Sequence, residues 1–167
     1  ADDGTTAIVL AEPAPGAEEL TELRAERDAL SRSTGGIQFT PDGHILTAND
    51  NFLRLMGYSR RDIYGQHHSM FCSPDYITTQ DYRDLWIDLA KGKERTGRVH
   101  RIGRFNRDVY LQASYSPIKD TSGEVVRVIK FATDASDHVA LERLAAERAE
   151  TVRDELQRFM QARSEME

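Results

Sequence analysis

The chain has 167 residues, a net charge of -6, 39% hydrophobic residues and a single cysteine, enough for one folded domain with solvated helix or linker around it. An acidic balance without a basic block argues against a nucleic-acid partner, whose phosphates are held by Lys and Arg. Cys72 alone makes no internal disulfide and no metal-ligand pair, no run approaches the roughly 18 apolar residues of a membrane span, and the N-terminus is acidic where a signal peptide is basic, so the expected compartment is the cytoplasm.

Residues 1–16 mix a short apolar run with Pro, Ala and Gly and read as a flexible arm or linker. Residues 17–35 open with AEELTELRAERDALSR, strong helix formers with Leu20, Leu23 and Leu30 along one side, and predict an N-terminal amphipathic helix in need of a partner. GGIQF and HILTA are short strands around TPDG, a turn composition, and form a hairpin. Asn49 or Asp50 then caps a helix carrying Phe52, Leu53, Leu55 and Met56 that Gly57 ends, and Ser59 caps a further turn. Pro74 stands near the start of a longer helix and Gly92 near its end, with Ile77, Leu85, Trp86 and Leu89 as its apolar contacts.

Three strands follow: ERTGRVHRI, DVYLQASYSPI across GRFNR, and VVRVIKFAT after the turn KDTSGE. Strands split by helices predict an α+β domain, an antiparallel sheet with helices on one face. Beyond ATD, Leu141, Ala145, Ala149, Val152, Leu156 and Phe159 recur at three- and four-residue steps, a short coiled-coil seam that suits a homodimer through the flanking helices. Glycine-rich phosphate loops, kinase histidine boxes and nucleophile motifs are missing from the sequence, so no enzyme is expected. The acids Asp75, Asp81, Asp84 and Asp88 read as the wet face of the long helix.

From residue 36 to residue 134 this order of elements resembles the PAS domain family. ANDNFLRLMGYSRRDIYG is similar to the family's N-terminal signature, and DTSGEVVRVIKFATD to its last hairpin and exit into a signalling helix. GQHHSMFCSPDY, LWIDLAKGK, GRVHRIGR and QASYSPIKD resemble more closely the PAS domains of bacterial methyl-accepting chemotaxis transducers, including the aerotaxis type. The resemblance implies a five-stranded PAS fold with a ligand pocket, a signalling helix over residues 135–167, a downstream signalling domain as partner, and sensing of redox state or oxygen through a flavin, FAD first.

Trp86 matches the place where flavin-binding members carry an indole against the isoalloxazine, and its alternative is plain core. Cys72 and Ser73 stand where aerotaxis receptors carry Arg and His, and Arg101 where they carry an Asn facing the cofactor. With Trp86, Asn49 and His68, the residues Arg101, Gln112 and Ser114 complete the cofactor-binding candidates, Asn49 also being a helix cap. Gln112 and Ser114 alternate with Tyr115 on one strand, and the sequence leaves open which face meets a ligand. His67 and His68 offer imidazoles for a haem alternative, against a solvated or backbone-bonded role. Cys72 falls four residues beyond the photoadduct position of the light-sensing branch, which here is His68, and reads as an inert filler. The third possibility is a cofactor-free dimerisation or relay module.

Overall fold

The computed structural model describes residues 16–164, so nearly all of the expected arm and the last three residues of the expected signalling helix lie outside the described residues. The chain divides into two units, residues 1–33 and 34–167. In the first, α1 (Ala17–Ser33) buries none of its residues within the chain, and Leu20, Leu23 and Leu30 are exposed. It ends two residues short of the expected boundary because Gly35 already opens a strand.

The second unit is built on β1 (Gly35–Phe39), β2 (Ile45–Ala48), β3 (Arg95–Gly103), β4 (Arg107–Lys119) and β5 (Val125–Asp134). They form one antiparallel sheet in the order β2-β1-β5-β4-β3, so the first and last strands are neighbours within it. Between β2 and β3 the chain folds into α2 (Asp50–Met56), α3 (Arg60–Ile63), α4 (Pro74–Ile77) and α5 (Gln80–Ala90), with a 3-10 turn at His68–Phe71. Period-two alternation turns Ile37 and Phe39 of β1, Val109, Leu111 and Ala113 of β4, and Val128 and Ala132 of β5 toward these helices. Phe52, Met56, Ile63, Phe71, Leu85 and Leu89 meet them from the other side. The fold is the five-stranded antiparallel α+β architecture that the strand order predicts.

Asn49 sets the start of α2: its Oδ1 accepts from Phe52 N at 2.9 Å and from Gly36 N at 2.8 Å, and its Nδ2 donates to Thr34 O at 2.9 Å. Gly57 ends the helix at φ 78° and donates its N–H to Leu53 O. The single helix expected from Pro74 to Gly92 is instead two, because Thr79 turns its hydroxyl to Tyr82 N at 3.2 Å and starts a new helix. After β5, α6 (Ser136–Ser164) leaves the sheet. Its first turns lie against the outer face, where Arg143 donates to the Tyr110 hydroxyl at 2.7 Å and Arg98 of β3 pairs with Glu142 at 2.5 Å. Leu141 beside them and Leu144, Val152, Leu156, Phe159 and Met160 beyond them are exposed.

Candidate functional site

Polar side chains from five segments meet on the helix-covered face of the sheet. Tyr115 of β4, Lys130 of β5 and Arg101 of β3 come from the sheet, His68 from the 3-10 turn, and Tyr82 and Trp86 from α5. His68 and Lys130 are fully buried, and Arg101 and Tyr115 are 2% exposed. Tyr115 and Lys130 are register partners on neighbouring strands, whereas Arg101 pairs with Val109 and must reach back along β3 to Tyr115.

The hydrogen bonds fix the proton directions. Arg101 Nη2 is 3.1 Å from the Tyr115 hydroxyl and can only donate to it. A protonated Tyr115 therefore gives its own hydrogen to His68 Nε2, 3.1 Å away. A neutral His68 then carries its proton on Nδ1 and donates to the Tyr82 hydroxyl at 3.3 Å. Burial holds the His68 imidazole well below its usual range, and the positive Lys130 and Arg101 push in the same direction, so the neutral ring is the resident form.

The two cations are the chemical anomaly. Arg101 Nη1 bonds its neighbour's carbonyl, His100 O, at 2.7 Å, but its Nε–H meets no acceptor. Lys130 Nζ also meets no hydrogen-bond acceptor of ordinary geometry and lies 4.9 Å from the Tyr115 ring centroid and 5.7 Å from that of Phe52. Burial lowers the Lys130 ammonium from its usual value, with the nearby Tyr115 oxygen opposing. For Arg101, burial works against the charge, yet the phenol and thiol groups of Tyr115, Cys72 and Tyr76 outweigh it and hold the guanidinium above its ordinary value. For Tyr115, burial pushes the phenol up, but Lys130 and Arg101 together bring it below the usual tyrosine value. Among the described residues neither cation is ion-paired with a carboxylate, although a buried charge is normally paired.

A third donor without an acceptor is Trp86 Nε1, which lies near Tyr82 but out of hydrogen-bond geometry. The indole packs edge-on to Phe39 at 5.7 Å and to His68 at 5.3 Å. It also closes over the hairpin turn: a Cβ at Gly43, where φ is 97°, would fall 3.0 Å from the ring, so only glycine lets the turn approach. A pocket of about 290 Å³ leads from the surface between α4, α5 and β3 to Arg101 and Tyr115, with Arg95, Arg98 and Asp81 at its mouth. Asp81 is committed there to Arg95 at 3.2 Å and to the Tyr76 hydroxyl at 3.0 Å.

Of the residues singled out from sequence, Trp86, His68 and Arg101 come together in this cluster. Asn49 stands apart as the α2 cap. Gln112 and Ser114 point to the opposite face of β4, Gln112 exposed and Ser114 half-buried, because Tyr115 and Ala113 take the core face. His67 is separate too: Nδ1 accepts from Ser69 N at 3.1 Å and Nε2 lies 2.9 Å from Asp42 O. Cys72 sits 3.7 Å from His68 Nδ1, and burial pushes its thiol up. Sequence reasoning missed Lys130 and Tyr82. The signal for Lys130 was its place between Val128 and Ala132 on the core parity of β5.

A family model described as PAS fold matches residues 31–140. The biofilm dispersion protein BdlA of Pseudomonas aeruginosa is 44% identical over 118 residues, 71% of this chain and 28% of that protein. The aerotaxis receptor of Escherichia coli is 28% identical over 110 residues, 66% of this chain and 21% of the receptor. The chain thus spans about a quarter of the length of these relatives. A light-oxygen-voltage domain solved in a study of a flavin analogue superposes with a TM-score of 0.58 at 21% identity, covering 81% of this chain and 99% of that one. At that identity it shows a common fold.

Proposed function

Because the chain belongs to the PAS-fold family, we propose that residues 36–134 are the cytoplasmic sensory domain of a chemotaxis transducer of the aerotaxis kind. The ligand is a flavin, FAD first, answering to redox state or oxygen. The likeness to an aerotaxis receptor supports the stimulus, and the buried donors of Trp86, Arg101 and Lys130 support the ligand. Three buried donors without acceptors suit an acceptor-rich ring, and the isoalloxazine offers a row of carbonyl oxygens and ring nitrogens. At about 290 Å³ the pocket lies at the lower edge of small-molecule sites of roughly 300–1,000 Å³, so the ring is the part that fits. Arg101 would hold it at the inner end of the pocket beside Tyr115, with Trp86 and His68 behind that lining in the same cluster and Arg95 at the mouth.

A bound flavin supplies a change of charge and protonation with redox state. The protein's own residues turn that into movement. Arg101 and Arg98 belong to the same strand, one facing the cluster and the other pairing with Glu142 of α6. A shift of β3 that suits one ligand state therefore pulls on the Arg98–Glu142 pair at the root of the signalling helix. That pair is solvent-screened and weak, so it can be remade on each cycle.

The observation that carries the ligand reading is the burial of donors with nothing to donate to. Its test is the absorption spectrum of the purified protein, followed by heat release and chromatography of whatever is bound. A flavin band that Trp86→Ala diminishes in a folded protein supports the reading. Undiminished flavin in that variant removes Trp86 from the site. The haem alternative draws no support from His67 and His68, whose ring nitrogens are engaged in the contacts above. The packing of His68 among Phe39, Tyr82, Trp86 and Tyr115 favours, as a second reading, a cofactor-free relay whose interior is its own side chains. A colourless protein that releases nothing on heating favours that one.

A further inference from the structure

We propose that the interior site is an anion site: Arg101 and Lys130 together receive a ligand's oxyanion, which enters through the pocket between α4, α5 and β3. This rests on the reading that the interior holds a ligand and names the charge which that ligand must bear.

Charge balance carries the argument. An arginine stays ionised under any ordinary condition, and Arg101 is 2% exposed with its Nε–H unused. Lys130 is fully buried on the next strand but one, with no acceptor of ordinary geometry at its Nζ and only the nearby Tyr115 oxygen to oppose the effect of burial on its charge. The side chains nearest to them are phenols, a thiol and aromatic faces, which soften the positive field without cancelling it. Taking two cations out of water without a counter-charge is costly, and where a fold tolerates it the missing charge belongs to something that binds. Tyr115 stands between them, its hydroxyl bonded by Arg101 and its ring under Lys130, so it is the group an arriving anion would join or displace.

The mouth itself is charge-balanced, Arg95 being paired with Asp81 and Asp88 and Arg98 with Glu142, so the unmatched positive charge lies inside, at Arg101 and Lys130. A planar oxyanion suits a guanidinium edge, and a nearby ammonium serves it as a point charge. Two sources supply that chemistry: a free small carboxylate, and the ring of a bound flavin that is ionised when reduced.

The experiment has an arm for each source and uses the full 167-residue chain. If the protein purifies without flavin, its melting temperature is followed against benzoate and against the uncharged isostere benzamide. Benzoate is expected to raise it and benzamide to leave it unchanged, with Arg101→Gln and Lys130→Met each weakening benzoate at least about tenfold. If the protein purifies with flavin, the spectrum of the reduced ring is expected to stay that of the ionised form well below neutral pH in the wild type, where the free reduced ring takes up its proton, and to become that of the neutral form there in Lys130→Met. Should either substitution fail to fold, the wild-type contrast between benzoate and benzamide, or the wild-type reduced spectrum, decides by itself. Equal responses to the two probes, or a wild-type reduced ring that takes up its proton as the free ring does, overturn the anion site and leave the ligand-binding reading standing. A flavin-free chain that answers neither probe and releases nothing on heating overturns both.

Discussion

His68 ties the domain's stability to pH through a single buried imidazole. In the unfolded chain a histidine takes up its proton near 6.5, whereas in the fold burial and the two cations hold the ring neutral until well below that. Below 6.5 the unfolded state therefore binds the extra proton and the folded state does not, so stability is lost as pH falls and is fully present above that value. One such group gives a slope of up to about 1.4 kcal/mol per pH unit. Thermal melts between pH 7 and 5 should show this acid loss in the wild type and a shallower one in His68→Gln; equal slopes would assign it to other groups. The same burial explains why the residue was hard to read from the sequence. Adjacent histidines look alike there, but His67 caps the 3-10 turn while His68 is turned into the core. Lys130 is hard to read for a related reason: lysine is almost never fully buried, so core parity on β5 does not by itself mark it as interior.

Within elements, short-range chemistry explains both the agreement and the exceptions. The hairpin at TPDG, the Asn49 cap and the Gly57 stop need only neighbours a few residues away, and all three stand where their composition places them. Thr79 uses equally local chemistry, yet the apolar spacing from Ile77 to Leu89 suggested an unbroken helix. The hairpin between β3 and β4 departs from local preference. Phe105 is 90% exposed and held at φ 58°, a region a bulky residue enters at a cost of about 1–2 kcal/mol, with only Arg104 over its ring in return. Phe105→Gly should therefore stabilise the domain by roughly 0.5–1 kcal/mol in denaturant unfolding. A loss of stability would mean that the backbone freedom glycine adds to the unfolded chain outweighs the strain relieved at φ 58°.

Across the molecule, the sheet separates two jobs. Its helix-covered face holds the polar cluster, and its outer face holds the start of α6 through Arg98, Tyr110 and the backbone bond from Ala135 N to Tyr110 O at 2.8 Å. Past those contacts α6 has no buried residue, and a lone helix with an exposed apolar row is a poor end state in water. Self-association through this row remains our proposal. Removing residues 141–167 should lower the sedimenting mass toward that of the monomer. An unchanged mass would move the interface to α1 or the sheet.

By itself the sequence determined what depends on spacing and near neighbours: five strands, the caps, the order of helices, and the signatures that place the chain in its family. Only the tertiary structure decided which face of β4 is interior, and so that Gln112 and Ser114 lie away from the cluster that Trp86, His68 and Arg101 share with Tyr115 and Lys130. The reason is physical. Alternation states that two faces exist, but which one is covered depends on helices contributed by a distant part of the chain. The reach of Arg101 back along β3 to Tyr115 likewise exists only once two strands have paired.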